Sequence, residues 1–149
     1  GAGANYGTAL ESALKMGETI HIPSCCYEIE EYIHGPNLQL TPQYNVIFFD
    51  GNDGASRRVE QVYKATRKVT NRAYLISNNP QLSSDDHVLS LSDTVSSELS
   101  PLVYLPFVQL LSFIVSNDLH SIYQHPLLKE FKAIAAAKTE NFVNYDGDD

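Results

Sequence analysis

Two short apolar runs with a helical stretch between them constrain this chain more than anything else in it. Residues 45–50 read NVIFFD, with apolar residues from Val46 to Phe49 bounded by polar ones. A run this short and uniformly apolar has no polar side to turn to water, which fits a strand covered on both faces in a parallel sheet. Gly51, Asn52, Asp53 and Gly54 make a turn at its carboxyl end. From Ala55 to Val69, Val59, Val62, Tyr63, Thr66 and Val69 recur at helical spacing, while Arg57, Arg58, Lys64, Arg67 and Lys68 project outward. Arg72 to Ser77 (RAYLIS) is a second strand, so the three segments form a strand–helix–strand unit. His87 to Leu91 alternates and reads as a third strand nearer an edge. Strands alternating with helices predict an α/β sandwich on a parallel sheet.

The flanks are helical. Tyr6 to about Thr19 reads as a helix that buries Leu10, Ala13 and Leu14. HIPSCC (21–26) is a connection with a possible fourth strand around Ile20 to Pro23, and Tyr27 to His34 is a short helix. Asn37 to Gln43 and Asn78 to Asp86 are loops, and Asp93 to Ser100 carries turn and cap residues. Pro101 suits a first helical position. Leu102 to Leu119 is the most apolar helix, with Leu105, Val108, Leu111 and Val115 expected in the core and the rest covered by the sheet and a partner subunit. Pro126 to Lys138 gives a last helix or arm, and the acidic NYDGDD end is expected to fray. The 149 residues suffice for one domain, 1–149, with 121–149 as its arm and tail. The chain opens on Gly-Ala-Gly where a preceding strand is expected, so residue 1 reads as a cut point in a longer protein.

Composition narrows the function classes. A net charge of −8 with no basic patch argues against a nucleic-acid partner. Cys25 and Cys26 are adjacent and too few for a disulfide framework, so they read as reduced, buried small groups of a cytoplasmic protein. Pro106 and Gln109 interrupt the longest apolar stretch, so no membrane span is expected.

Residues 11–36, ESALKMGETIHIPSCCYEIEEYIHGP, carry the chemistry. Glu11, Lys15 and Glu18 lie at i, i+4 and i+7 and share one helix face. Such a group is either a solvated face or a proton-transfer site in which each charge tunes its neighbour. His34 follows Glu18 by sixteen residues. It falls in the last turn of a helix that Gly35 and Pro36 end, one turn after Glu30 and Glu31. The negative end of the dipole and those carboxylates both favour an imidazolium there.

E-x-A-L-K-x-x-E followed at this spacing by E-x-x-H-G-P resembles the C-terminal, second sugar-isomerase (SIS) domain of the glucosamine-6-phosphate synthase and fructosamine-6-phosphate deglycase group. The opening GAGANYGTALESALK and the late AAAKTE extend the likeness along the chain. The resemblance implies a three-layer α/β/α sandwich with a parallel, flavodoxin-like SIS sheet, here without its first strand. It implies that the glutamate matching Glu18 moves a proton between sugar carbons C1 and C2. The histidine matching His34 opens the ring or protonates a leaving amine, and in the synthase branch it reaches the neighbouring subunit's site. Lys15 would lie near the reacting carbons, Glu31 would orient His34, Glu11 would be structural, and Lys138 would match the family's C-terminal lysine. No cofactor or metal is implied. The expected partners are a phosphorylated sugar, a second copy in a homodimer, and the parent chain's N-terminal SIS domain, which holds the serine- and threonine-rich phosphate loops. The segment EIEEYIHGP departs from the alanine-rich synthase pattern and leans toward a deglycase. The fragment by itself is expected to be inactive. Rival readings are a non-catalytic phosphosugar-binding module and a purely structural dimerisation domain.

Overall fold

The computed structural model describes residues 1–91 and 95–121, together with Glu130 and Ile134. Its elements are α1 (Asn5–Ile20), α2 (Ile29–Ile33), β1 (Val46–Asp50), α3 (Ser56–Thr66), β2 (Ala73–Ser77), β3 (Val88–Ser90) and α4 (Ser100–Asp118), with single 3₁₀ turns at Pro36–Gln39 and Pro80–Leu82. The strands lie in the order β1-β2-β3, all parallel, with Phe48 opposite Leu75 and Leu75 opposite Val88.

Alternation along the strands separates two cores. Phe48, Ala73 and Leu75 face one way and pack with Ile29 of α2 and Val59, Val62 and Tyr63 of α3. Phe49 and Ile76 face the other way and pack with Ala9 of α1 and with Tyr104 and Val108 of α4. The α/β/α sandwich therefore has α2 and α3 in one outer layer and α1 and α4 in the other. The stretch around Ile20–Pro23 is not a strand. The helix runs through Ile20, His21 adopts a left-handed conformation (φ 61), and Pro23 has no N–H to give to a ladder.

The α1–α4 layer departs from the apolar seams read from sequence. The two helices run parallel. Asn5 Nδ2 donates to Ser100 Oγ (2.7 Å) at their starts, Ser112 Oγ approaches Met16 Sδ (3.8 Å) midway, and Ser121 Oγ donates to the Thr19 carbonyl (2.6 Å) at the far end. Their inner faces are Asn5, Thr8, Ala9 and Ser12 on α1, and Ser100, Tyr104, Val108, Ser112 and Ser116 on α4. Small polar side chains let the backbones approach closely, and each hydroxyl finds a nearby acceptor, as Ser12 does on the Thr8 carbonyl. Of the expected seam only Val108 is fully buried; Leu105, Leu111 and Val115 are half-buried. Leu10 and Leu14 face outward, as do Leu102, Leu110 and Phe113, the last 62% exposed. By length and composition alone α4 could cross a membrane, because its apolar residues run nearly all round and Pro106 does not end the helix. Here its serine-lined side packs on α1 and the sheet.

Candidate functional site

On α1, Glu11, Lys15 and Glu18 share the outer face that their spacing predicts. Lys15 Nζ lies 2.8 Å from Glu18 Oε2 and 3.5 Å from Glu11 Oε1. The hydrogen bond and charge of Glu18 raise the Lys15 pKa further, so the ammonium is held between two carboxylates. Half of the Glu18 side chain remains exposed (50%), so nothing within the described residues desolvates it. The apolar side chains of Leu10 and Leu14 stand beside this charged row on the same helix, also facing out.

On the opposite layer, α2 is only five residues long and owes its start to a capping box. The Glu28 carboxylate accepts from the Glu30 N–H (2.7 Å), while Glu31 Oε2 accepts from the Glu28 N–H (3.3 Å). Glu31, expected to orient His34, is thus engaged at the beginning of the helix. The ring of His34 is held by its own turn instead: Nδ1 lies 2.7 Å from the Glu30 carbonyl. A carbonyl oxygen can only accept, so Nδ1 carries the hydrogen and Nε2 is the nitrogen left to accept or donate a proton. Gly35 (φ 153) and Pro36 end the helix directly after it.

Arg58 of α3 reaches across to α2. Its Nε and Nη2 donate to the two carboxylate oxygens of Glu30 at 2.7 and 3.2 Å. Arg58 holds the Glu30 carboxyl below its ordinary range, and Glu30 raises the guanidinium in return. Sequence reading took Arg58 for an outward-projecting charge. The position of Glu30 four residues before His34 was visible, but its partner lies twenty-eight residues away along the chain and leaves no local signature. A groove of about 340 Å³ runs beside this pair between α2 and α3, lined by Tyr32, Ile33, Asn37, Gln61 and Val62 among others.

The carboxyl ends of β1 and β2, where open α/β sheets commonly take ligands, are filled by the chain itself. Buried Asp50 accepts from Ser77 Oγ (2.7 Å) and from the Asn52 N–H (3.0 Å), and Tyr104 Oη donates to the Asp50 carbonyl (2.7 Å). A side chain at Gly3 would collide with Asp53 Oδ2, and one at Gly51 with Asn5 Nδ2. Two carboxylates at this rim make it a poor seat for a phosphate.

Within one copy, Glu18 and His34 are not brought together: they belong to helices on opposite faces of the sheet. Cys26 packs half-buried against the α1–α4 core and Cys25 is exposed; both are free thiols, and neither is the fully buried group expected. Lys138 lies outside the described residues. Among the described residues no cluster of three or more histidine, cysteine or carboxylate side chains could hold a metal.

No protein-family model matches the chain. Among curated proteins it is 32% identical, over 79% of its length, to the isomerizing glutamine–fructose-6-phosphate aminotransferase of Methanothermobacter thermautotrophicus, and it spans only 20% of that protein. The chain covers about a fifth of the length of the curated relatives it matches. Among solved structures it superposes on a Clostridium difficile protein provisionally designated a phosphosugar isomerase, with a TM-score of 0.75 at 24% identity, covering 93% of this chain and 38% of that one. It also superposes on tagatose-6-phosphate ketose/aldose isomerase of Escherichia coli, with a TM-score of 0.68 at 18% identity over 77% of this chain and 33% of that one. These structural likenesses establish the fold.

Proposed function

For a chain that has the SIS fold and is homologous to the C-terminal SIS portion of the glutamine–fructose-6-phosphate aminotransferases, we propose the acid–base half of a phosphosugar isomerase or deglycase site. The substrate is a 6-phosphorylated ketose or aldose with an amine at C1 or C2. Glu18 takes a proton from one of these carbons and returns it to the other, and His34 protonates the ring oxygen or the leaving amine through Nε2.

The reading is carried by two separate observations, an α1 carboxylate held by Lys15 and, on the other layer, a histidine whose Nδ1 is already committed to the Glu30 carbonyl. A general acid needs one nitrogen fixed so that the other points reproducibly. The two side chains lie on opposite layers, so the complete site uses Glu18 of one copy and His34 of a second, in a homodimer. Glu18 is half exposed, and a base for carbon acids works best when desolvated. The surface laid over α1 to achieve this is assigned to the N-terminal SIS domain of a longer cytoplasmic parent chain, which also supplies the phosphate cradle that this domain's own rim is ill suited to be. The departure of EIEEYIHGP from the synthase pattern favours a deglycase acting on a fructosamine 6-phosphate.

The test is complementation with the native gene product. Glu18→Gln and His34→Asn each reduce turnover of fructosamine 6-phosphate or glucosamine 6-phosphate by at least a hundredfold. Mixing the two inactive variants under subunit exchange restores about a quarter of wild-type activity, because mixed dimers regain one intact site. Retention of most turnover in both single variants rules out the assigned roles, and failure of the mixture to recover rules out a site shared between copies. A non-catalytic phosphosugar-binding module is the alternative that the exposure of Glu18 keeps open. It would raise the melting temperature with sugar phosphates while converting none of them.

A further inference from the structure

We infer that Arg58 is a positioning residue for His34, acting through Glu30 across the α2–α3 boundary. The inference rests on the reading above only in making His34 the acid; the mechanical claim stands apart from it. α2 is a helix of five residues, too short to hold itself in water. Ile29 anchors it to the core at 3% exposure, and the partly buried Tyr32 and Ile33 pack there too, Tyr32 edge-on to Phe48. These contacts hold the inner side of α2, and Arg58 adds a hold on the outer side, at exposed Glu30. A guanidinium donating from two nitrogens to two carboxylate oxygens fixes direction as well as distance, which a lysine cannot reproduce.

The residue held is also the one whose backbone carbonyl accepts the His34 Nδ1–H. Side chain and carbonyl of Glu30 therefore connect α3 to the imidazole in two steps. Both ends of the ion pair are exposed, with side-chain accessibilities of 40% and 53%, so its net contribution to stability is small. Its effect falls on geometry: with α2 fixed, Nδ1–H keeps its acceptor and Nε2 stays the free nitrogen. Without that outer hold, the Glu30 carbonyl is less firmly placed and the neutral ring shifts toward the Nε2–H tautomer usual for a histidine in water. The charged groups on α2 and at its contact with α3 are Glu30, Glu31 and Arg58, and Glu31 is engaged in the capping box.

The experiment is nitrogen-detected NMR of the His34 ring in this chain, above the ring's titration. The wild type should show the hydrogen on Nδ1. Arg58→Ala and Arg58→Lys should each lower the Nδ1–H population severalfold, and the swap of Glu30→Arg with Arg58→Glu should restore it, since any residue at position 30 offers the carbonyl. Circular dichroism and melting serve as controls that the variants are folded. An unchanged tautomer in folded Arg58→Ala overturns the inference, as does a folded swap that fails to restore it. Turnover of the native gene product then separates the two readings. A loss of kcat at unchanged KM in Arg58→Ala supports both. A shifted tautomer with unaltered turnover keeps the clamp and removes His34 from the reaction.

Discussion

At the scale of single residues, the fold rests on a few buried polar groups with defined partners. Tyr104 is 1% exposed, and its hydroxyl donates to the Asp50 carbonyl at 2.7 Å. Tyr104→Phe keeps the ring and removes the donor to the buried Asp50 carbonyl, which should cost about 1–3 kcal/mol in denaturant unfolding. Burial pushes the Tyr104 hydroxyl up to about 12. A phenol raised in the folded state leaves stability intact below the ordinary value of 10.0 and erodes it as pH climbs from there to about 12. Wild type should therefore lose stability over that alkaline window, and Tyr104→Phe should lose less. Asp85 works in the opposite direction. The His87 N–H, and then the Tyr63 hydroxyl at 2.8 Å, hold its carboxyl below the ordinary 3.8. Its contribution is present above that value and disappears as pH falls through the depressed one. The difference in melting temperature between wild type and Asp85→Asn should shrink in acid.

At the scale of elements, the strands, the charged row and the α3 seam of Val59, Val62, Tyr63 and Thr66 were legible, and the seams of α1 and α4 were not. NVIFFD and RAYLIS could be read because a doubly covered strand leaves no polar residue in its middle, and β1 and β2 lie within them. Glu11, Lys15 and Glu18 could be placed together because helical spacing is local. The inner faces of α1 and α4 escaped notice because hydrophobic periodicity points to the larger side chains, while close parallel packing selected serine, threonine and alanine. Which side of an apolar helix is wet depends on tertiary contacts that no local pattern carries. The capping box shows the same limit at smaller scale: Glu28 and Glu31 have its spacing, yet the resemblance assigns Glu31 to His34. Ser112→Leu should overfill the α1–α4 contact and cost about 1–3 kcal/mol, whereas Phe113→Ser on the outer side should change the stability of this chain by less than about 0.5 kcal/mol. Both are read from urea midpoints. Glu28→Ala should remove a cap at a cost of about 0.5–2 kcal/mol, lowering helicity near His34 in amide hydrogen exchange.

At the scale of the whole molecule, the sandwich divides its duties. One layer presents a carboxylate row beside exposed leucines, and the other presents a histidine clamped to its neighbouring helix. The resemblance read in residues 11–36 foresaw the SIS fold. That the two lie back to back was not legible, because sequence spacing says nothing about which face of a sheet a connection crosses to. The serine-lined contact between α1 and α4 has a calorimetric consequence. Helices that join through small hydroxyls and leave their leucines wet transfer little oily area out of water when this chain folds. Its heat-capacity increment on melting should fall short of the roughly 12 cal/mol/K per residue usual for globular proteins. The missing part should return only when another protein surface dries that side.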